Sequence, residues 1–395
     1  MMTEARDAAG ATPQRGPKPP IPLSIITGFL GSGKTTLLNR ILKDPAMADT
    51  AVIINEFGDV GLDHLLVDQS SEGILELSSG CLCCTIRGDL INTLEDLLRR
   101  LDNGRMQRLA RVVIETTGLA DPAPILHTVM LHPYLMLRYR LDSVVTLVDA
   151  VNGSATLDAH QEAVRQAAVA DRLVLTKTDL LDGEAGAATL SDLTARLKAL
   201  NPGARLLNAQ KGEADAAHLF NAGLYDPSTK IPDVARWLNA EAYEAHGHHH
   251  HHDHHHGHAH SHHHHDVNRH DDRIRAFTLT ASRPVPASAL EMFLDLLRSA
   301  HGPKLLRVKG IIQIAEDPDR PVVIHGVQHV FHPPVTLAGW PDGDRRTRLV
   351  FITYDLAEGF VRRLFDAFTG AMVSDTPDAQ AMMHNPLAIS GFKPG

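Results

Sequence analysis

Cysteine is scarce in this chain: three residues in 395, all within Cys81-Leu82-Cys83-Cys84. Three clustered thiols cannot build a disulfide framework. A reducing cytoplasm is the simplest compartment in which they stay free to bind metal. Long apolar runs are also missing. None reaches the roughly 18–20 residues that span a bilayer as a helix, so no membrane partner is expected. Positive charge is not in excess: 38 Lys and Arg against 47 Asp and Glu leave a net −9. That balance offers no electrostatic footprint for nucleic acid. Residues 1–22 hold five prolines and no apolar h-region, which reads as a disordered arm, not a signal peptide.

What the chain does have is a repeated pattern of short buried strands. Leu23–Thr27, Ala51–Ile54, Val112–Ile114, Val144–Val148 and Leu173–Leu175 are apolar runs of the kind that parallel strands covered on both faces produce. Helical spacing lies between them, at residues 34–43, Asp89–Leu101 and Ala159–Ala170. The alternation predicts an α/β fold with a doubly wound, mostly parallel sheet. A second unit follows, with strands at Ile274–Thr280, Lys304–Ala315, Val322–Gly326 and Arg348–Tyr354 and helices at Ala287–Ala300 and Gly359–Phe368. It reads as a small α+β domain. The expected organisation is an arm (1–22), a nucleotide domain (23–225), a linker (226–272), the α+β domain (273–375) and a tail (376–395).

The linker holds the chain's most biased stretch, residues 246–270, where 16 of 25 residues are histidine. Solvated imidazoles and glycines build no core. Clustered imidazoles do bind zinc, nickel, cobalt or copper with little geometric discipline, and lose them as they protonate near pH 6–6.5. His248, His249, His250, His254, His255, His256, His262, His263 and His264 are expected to form auxiliary weak sites. A passive linker and a purification tag are the other readings, although Asp253, Gly257, Ala259 and Ser261 interrupt the tract.

Gly28-x-x-x-x-Gly33-Lys34-Thr35 lies between an apolar run and a helical stretch. That is the context in which glycines turn backbone N–H groups onto phosphate oxygens. The helix N-terminus adds about half a positive charge. Lys34 is expected on the β- and γ-phosphates and Thr35 on magnesium. Val112–Ile114 ends in Glu115, placed to hold a magnesium-bound water, with Gly118 close to the γ-phosphate. Thr176-Lys177-Thr178-Asp179 follows another buried strand. A carboxylate there accepts from guanine N1–H and its 2-amino group, and sites of that kind discriminate by roughly 10⁴–10⁵. Thr176 stands where the GTPase motif usually carries Asn.

Thiolates suit zinc, which prefers four tetrahedral ligands. In an extended segment Cys81 and Cys83 share a face, and Cys84 points away unless the loop turns. Glu56, His64, Cys84 or water could complete the set. An incomplete site suits a metal that must later leave. Buried structural cysteines and redox chemistry are the competing readings.

Taken together, GFLGSGKTTLLN (28–39), INEFGDVGLD (54–63), ELSSGCLCCTIRGDL (76–90), IETTGLADPAP (114–124), TKTDL (176–180), RVKGII (307–312) and HGVQH (325–329) resemble the CobW-type family of metallochaperone GTPases. The resemblance covers nearly the whole chain after Pro22. It implies a two-domain fold, magnesium-dependent GTP hydrolysis and zinc binding, with cobalt as the alternative metal. By position it assigns Gly31, Ser32, Gly33, Lys34, Thr35 and Thr36 to the phosphates. Glu56 and Gly58 fall in the switch-like segment and Glu115 in the magnesium site. Thr176, Lys177 and Asp179 fall in the guanine site, and Cys81, Cys83 and Cys84 in the metal site. Lys34, Glu56 and Glu115 form the expected catalytic set.

His325 stands where relatives commonly have Gln. His325, His329 and His332 otherwise read as ordinary strand and loop histidines. The expected partner is a client metalloprotein that receives zinc on hydrolysis, and a homodimer is compatible. Hydrolysis is expected to be slow without a partner, because no arginine finger is evident. The rival readings are a cobalt chaperone for cobalamin synthesis, a histidine-rich metal buffer with a vestigial GTPase, and an ATP-using phosphotransferase.

Overall fold

Apolar strands alternate with helices through the first half of the chain. A computed structural model describes residues 19–54, 74–76, 84–220 and 273–370, with the side chains of 74–76 and 84–89 outside that description. In chain order come β1 (Ile21–Gly28), α1 (Lys34–Ile41), β2 (Thr50–Ile54), β3 (Ile74–Glu76), α2 (Cys84–Asp102), β4 (Arg111–Glu115), α3 (Ala123–Leu131), α4 (Leu135–Arg138) and β5 (Tyr139–Asp149). Then follow α5 (Gly153–Ala159), α6 (Gln161–Ala168), β6 (Arg172–Thr176), α7 (Gly183–Leu200), β7 (Arg205–Asn208) and α8 (Ala216–Leu219).

The seven strands pair in parallel in the order β3-β2-β4-β1-β5-β6-β7. Strand side chains alternate between faces, and both faces are covered. Ile26, Val52 and Val113 pack against Leu37, Leu38 and Ile41 of α1. Ile25, Ile53 and Ile114 pack on the other side with Leu94, Leu98 and Leu126 of α2 and α3. That is the doubly wound arrangement the apolar runs predict.

The second sheet is antiparallel. It contains β8 (Ile274–Ala281), β9 (Leu305–Ile314), β10 (Asp317–Val327), β11 (Val330–Phe331), β12 (Val335–Thr336) and β13 (Thr347–Tyr354), in the order β11-β10-β9-β13-β8 with β12 beside β10. Helices α9 (Ala287–His301) and α10 (Glu358–Thr369) cover one face through Phe293, Leu297, Val361 and Phe365. From the other face Leu306, Val327, Val330 and Ile352 enter the same core as Leu126, Ala168 and Val169 of the first unit. The two sheets therefore share packed apolar surface. Among the described residues no helix is long and apolar enough to cross a membrane.

Two local expectations need correction. The helix expected over Ala159–Ala170 is α6, Gln161–Ala168, and starts two residues later than expected because His160 before it is extended (φ −131°, ψ 112°) and separates it from α5. The His160 ring stacks on Phe29 of the phosphate loop at 4.3 Å between centroids. The helix expected from Asp89 begins at Cys84, so Cys84 is helical rather than part of an extended run.

Candidate nucleotide and metal site

The phosphate loop leaves β1 at Gly28 and enters α1 at Lys34. Gly33, the residue before α1, is left-handed (φ 89°), a conformation that only glycine reaches without strain. Ser32 N donates to Phe29 O at 3.1 Å and Leu37 N to Gly33 O at 2.9 Å, closing the turn onto the helix. The Lys34 ammonium donates to the carbonyls of Gly28 (3.0 Å) and Phe29 (3.2 Å), folded back along the loop. Thr35 Oγ1 donates to Glu115 Oε1 at 2.9 Å across the β1–β4 pair. Glu115 is only 4% exposed. A buried carboxylate beside a hydroxyl at a helix start is a hard-oxygen pair of the kind magnesium takes.

The segment after β4 touches the loop directly. A Cβ on Gly118 would sit 2.6 Å from Leu30 N and 2.8 Å from Leu30 Cα, so glycine is required by the close approach of two backbones. Thr116 donates to the Thr27 hydroxyl at 2.7 Å. Behind the segment, Gln166 of α6 is fully buried. Its amide donates to Gly118 O (3.1 Å) and Ala120 O (2.9 Å).

On the other flank, Thr176 Oγ1 lies 2.9 Å from Ser32 O and 3.3 Å from Val148 O. The hydroxyl thus ties the β6 end to the phosphate loop. Lys177 is left-handed (φ 58°), and its ammonium meets Asp149 Oδ2 at 2.7 Å. Burial alone would raise the Asp149 carboxyl. The bonds from Lys177 and Asn152 and the backbone N–H groups of Val151 and Asn152 outweigh it and hold the group below its ordinary value. Asp179 is exposed in the single turn Thr178–Leu180. The loop after β7 stands beside it, because Asn208 Oδ1 accepts from Thr178 Oγ1 (3.0 Å) and Gln210 N (3.0 Å). A cavity of about 300 Å³ lies on the β5 side of the phosphate loop, walled by Phe29, Ser32, Val148, Asp149, Leu157 and Gln166.

Sequence reasoning missed Asp149, Gln166 and Asn208. Asp149 had a signal, since it ends the run Val144–Val148 as Glu115 ends Val112–Ile114. Gln166 had none.

Glu56, Gly58, His64, Cys81, Cys83 and the histidines of 246–270 lie outside the described residues, as does the side chain of Cys84. Among the described residues no group of three or more His, Cys, Asp or Glu is placed to hold a metal ion. The sheet does fix where the cysteine segment begins. Glu76 pairs with Ile54, Ile54 with Glu115, and Glu115 with Ile26. One row thus crosses β3, β2, β4 and β1. Strands about 4.8 Å apart put the end of β3 roughly 10 Å from Glu115.

The histidines of the second domain lie elsewhere. His325 and His332 have ring centroids 5.6 Å apart. Burial and the nearby Arg307 lower both, His332 to about 4.

Residues 22–208 match the family profile described as CobW/HypB/UreG, nucleotide-binding domain. Residues 274–369 match the Cobalamin synthesis protein cobW C-terminal domain. Zinc chaperone YjiA of Escherichia coli (strain K12) is 34% identical over 350 residues, covering 88% of this chain and 98% of that protein. Zinc-regulated GTPase metalloprotein activator 1 of Schizosaccharomyces pombe is 38% identical over 203 residues, covering 50% of this chain and 47% of that protein. The crystal structure of Zn(II)-bound YjiA GTPase from E. coli aligns with a TM-score of 0.62 at 30% identity, covering 89% of this chain and 99% of that one. A triple variant of that protein, with one glutamate and two cysteines replaced by alanine, is also known as a Zn(II)-bound crystal structure.

Proposed function

The chain belongs to the CobW family, and from that premise we propose that it takes up zinc at Cys81, Cys83 and Cys84 and yields it to a client metalloprotein as GTP is hydrolysed. It is a P-loop GTPase, cleaving GTP to GDP and phosphate, and a zinc metallochaperone.

In the proposed mechanism Gly31–Thr36 wrap the phosphates. Lys34 swings from the carbonyls of Gly28 and Phe29 to the β- and γ-oxygens. Thr35 and Glu115, already 2.9 Å apart, hold magnesium, which supplies charge neutralisation on those oxygens when bound. Thr176 keeps the base loop against the phosphate loop, Lys177 covers the nucleotide and Asp179 receives guanine. Water attacks the γ-phosphorus as its bond to the β-bridging oxygen breaks. Glu56, after β2, is assigned to this end of the site and to the zinc set. The histidine tract adds weak sites that pass metal to the cysteines.

One observation carries the coupling of cargo to nucleotide. The strand leading to the cysteines, the strand leading to Glu56 and the strand ending in Glu115 are neighbours, in register, and point the same way. A shift at the γ-phosphate end therefore acts on the segment that bears the thiolates. Coupling of this kind is typically about 5–150-fold in affinity.

The test measures zinc affinity with a non-hydrolysable GTP analogue and with GDP, in the parent and in a Cys81→Ser/Cys83→Ser variant. The variant isolates the cysteine-dependent part from other zinc sites. Affinities that differ between the two nucleotides only in the parent support the reading. Equal affinities remove it. Repeating the titration with cobalt distinguishes the cobalt-chaperone alternative, which requires tighter cobalt than zinc binding at the same thiols.

A further inference from the structure

The segment between β4 and α3, residues 116–122, approaches the phosphate loop closely at Gly118 and Leu30, and two helices that also pack on the second domain hold it. From α6 the Gln166 amide donates to Gly118 O at 3.1 Å and Ala120 O at 2.9 Å. The adjacent Arg165 places Nη1 3.7 Å from Asp121 Oδ2. The other Asp121 oxygen accepts from Ala123 N at 2.9 Å and so caps α3. Arg165 also lies over the ring of Tyr354, at the end of β13 in the second domain, 5.6 Å from its centroid. From α3, His127 Nε2 is 3.0 Å from Val327 O of β10, and its ring packs 4.4 Å from that of His329.

Gln166 is a polar side chain in a core position. It is fully buried, and the Thr146 hydroxyl bonds its own carbonyl at 2.7 Å. An apolar residue would fill the same place at lower desolvation cost. What the amide supplies is two donors aimed at two carbonyls of the segment. A backbone segment that must meet a phosphate within tenths of an ångström needs such a fixed support.

We propose that Gln166 is a positioning residue for GTP hydrolysis, and that Arg165 beside it, packed on Tyr354, makes the C-terminal domain part of the same support. In this proposal Gln166 acts through the carbonyls of Gly118 and Ala120, not on the nucleotide. It sets where Gly118 and its neighbours stand, and Arg165 and Tyr354 set where α6 stands. The inference rests on the assignment of Glu115–Gly118 to the γ-phosphate.

The experiment is single-turnover GTP hydrolysis by the full chain, expressed per GDP-binding site so that misfolded protein does not count, together with the Kd for GDP. Gln166→Met keeps length and volume but removes both donors. It is expected to slow hydrolysis about 10–100-fold with the GDP Kd within about twofold of the parent, because the base loop and phosphate loop are intact. Arg165→Met and Tyr354→Leu are expected to slow it by a smaller factor. Their double variant should be no slower than the worse single, the non-additivity of residues that act as a unit. Parent-like hydrolysis in Gln166→Met overturns the proposal, as does a GDP Kd that rises in step with the rate loss. Multiplicative effects of Arg165 and Tyr354 overturn the interdomain half. A parent protein that hydrolyses no GTP would instead sink the underlying nucleotide assignment.

Discussion

Replacing Asp171 by asparagine should destabilise the intact protein by about 3–5 kcal/mol, the usual loss when one partner of a buried ion pair is removed. The side chain of Asp171 is 3% exposed, and its Oδ1 meets Arg307 Nη2 at 2.6 Å and Lys309 Nζ at 2.5 Å. Its Oδ2 accepts from Val144 N at 2.9 Å. One carboxylate thus ties the start of β6 to β9 of the other domain. Burial alone would raise the Asp171 carboxyl, but Arg307 and Lys309 overcome it and hold the group well below the ordinary range. Lys309 moves the other way, because burial and Arg307 push its ammonium down to about 8. Asp171 opposes the Lys309 shift without cancelling it.

The sign of the pH dependence follows. Lys309 has a folded pKa of about 8 against 10.5 ordinarily, so between those values the unfolded chain binds more protons and stability rises with pH. At about 1.4 kcal/mol per unit the window is worth roughly 3 kcal/mol. In the Asp171→Asn variant the ammonium loses its counter-charge and gives up its proton at lower pH. The gap between parent and variant should therefore narrow as pH rises towards 8 and stay constant above. Chemical denaturation followed by circular dichroism at several pH values reads the gap, and taking the difference cancels titrations common to both proteins. A loss below about 1 kcal/mol, or a gap that does not narrow as pH rises towards 8, would refute the reasoning.

Gly118→Ala places a Cβ 2.6 Å from the backbone nitrogen of Leu30, and neither backbone can yield without moving the phosphate loop. GTP turnover should fall about 10–100-fold, and unchanged turnover would show that the contact is not functional. Thr176→Val removes the hydroxyl 2.9 Å from Ser32 O at a site only 6% exposed. It should cost about 1–3 kcal/mol of stability and weaken GDP binding, as calorimetry would show, whereas a parent-like melting curve would contradict the assigned bond.

How much of this was legible in the sequence depended on where each residue's partners lie. The runs at Leu23, Ala51, Val112, Val144 and Leu173 announced themselves because a parallel strand covered on both faces tolerates few polar residues. The phosphate loop was legible because its glycines, lysine and threonine are local to one turn. The first half of β5 was not. It carries Arg140, Asp142 and Ser143, and the buried Asp142 accepts from Ser24, 118 residues away, at 3.1 Å. Gln166 carried no sequence signal, since its partners are 46 and 48 residues distant. No role could be read for Arg307 and Lys309, because their acceptor Asp171 belongs to the other domain, 136 and 138 residues away. The stacking of His160 on Phe29 of the phosphate loop is likewise encoded by no local pattern. Chain-local chemistry was visible, and polar burial satisfied at long range was not.

The strand order also decides which end of the nucleotide can speak to the cargo. β1 carries the phosphate loop. On one side lie β5, β6 and β7, which end in Asp149, Thr176 and Asn208 at the base loops; on the other lie β4, β2 and β3. GTP and GDP share the base, the ribose and two phosphates, so contacts on the β5–β7 side are common to both states and cannot shift an equilibrium between them. The only differential contacts arise at the γ-phosphate, which the proposed function assigns to the Thr35–Glu115 pair and Gly118, on the β4 side. The cysteine segment leaves the sheet on that side, two strands beyond Glu115. A cargo site hung from β7 could be just as close to bound nucleotide and yet be blind to hydrolysis. The proposed release on hydrolysis therefore leans on the position of β3 beside β2 and β4 more than on the presence of the thiols.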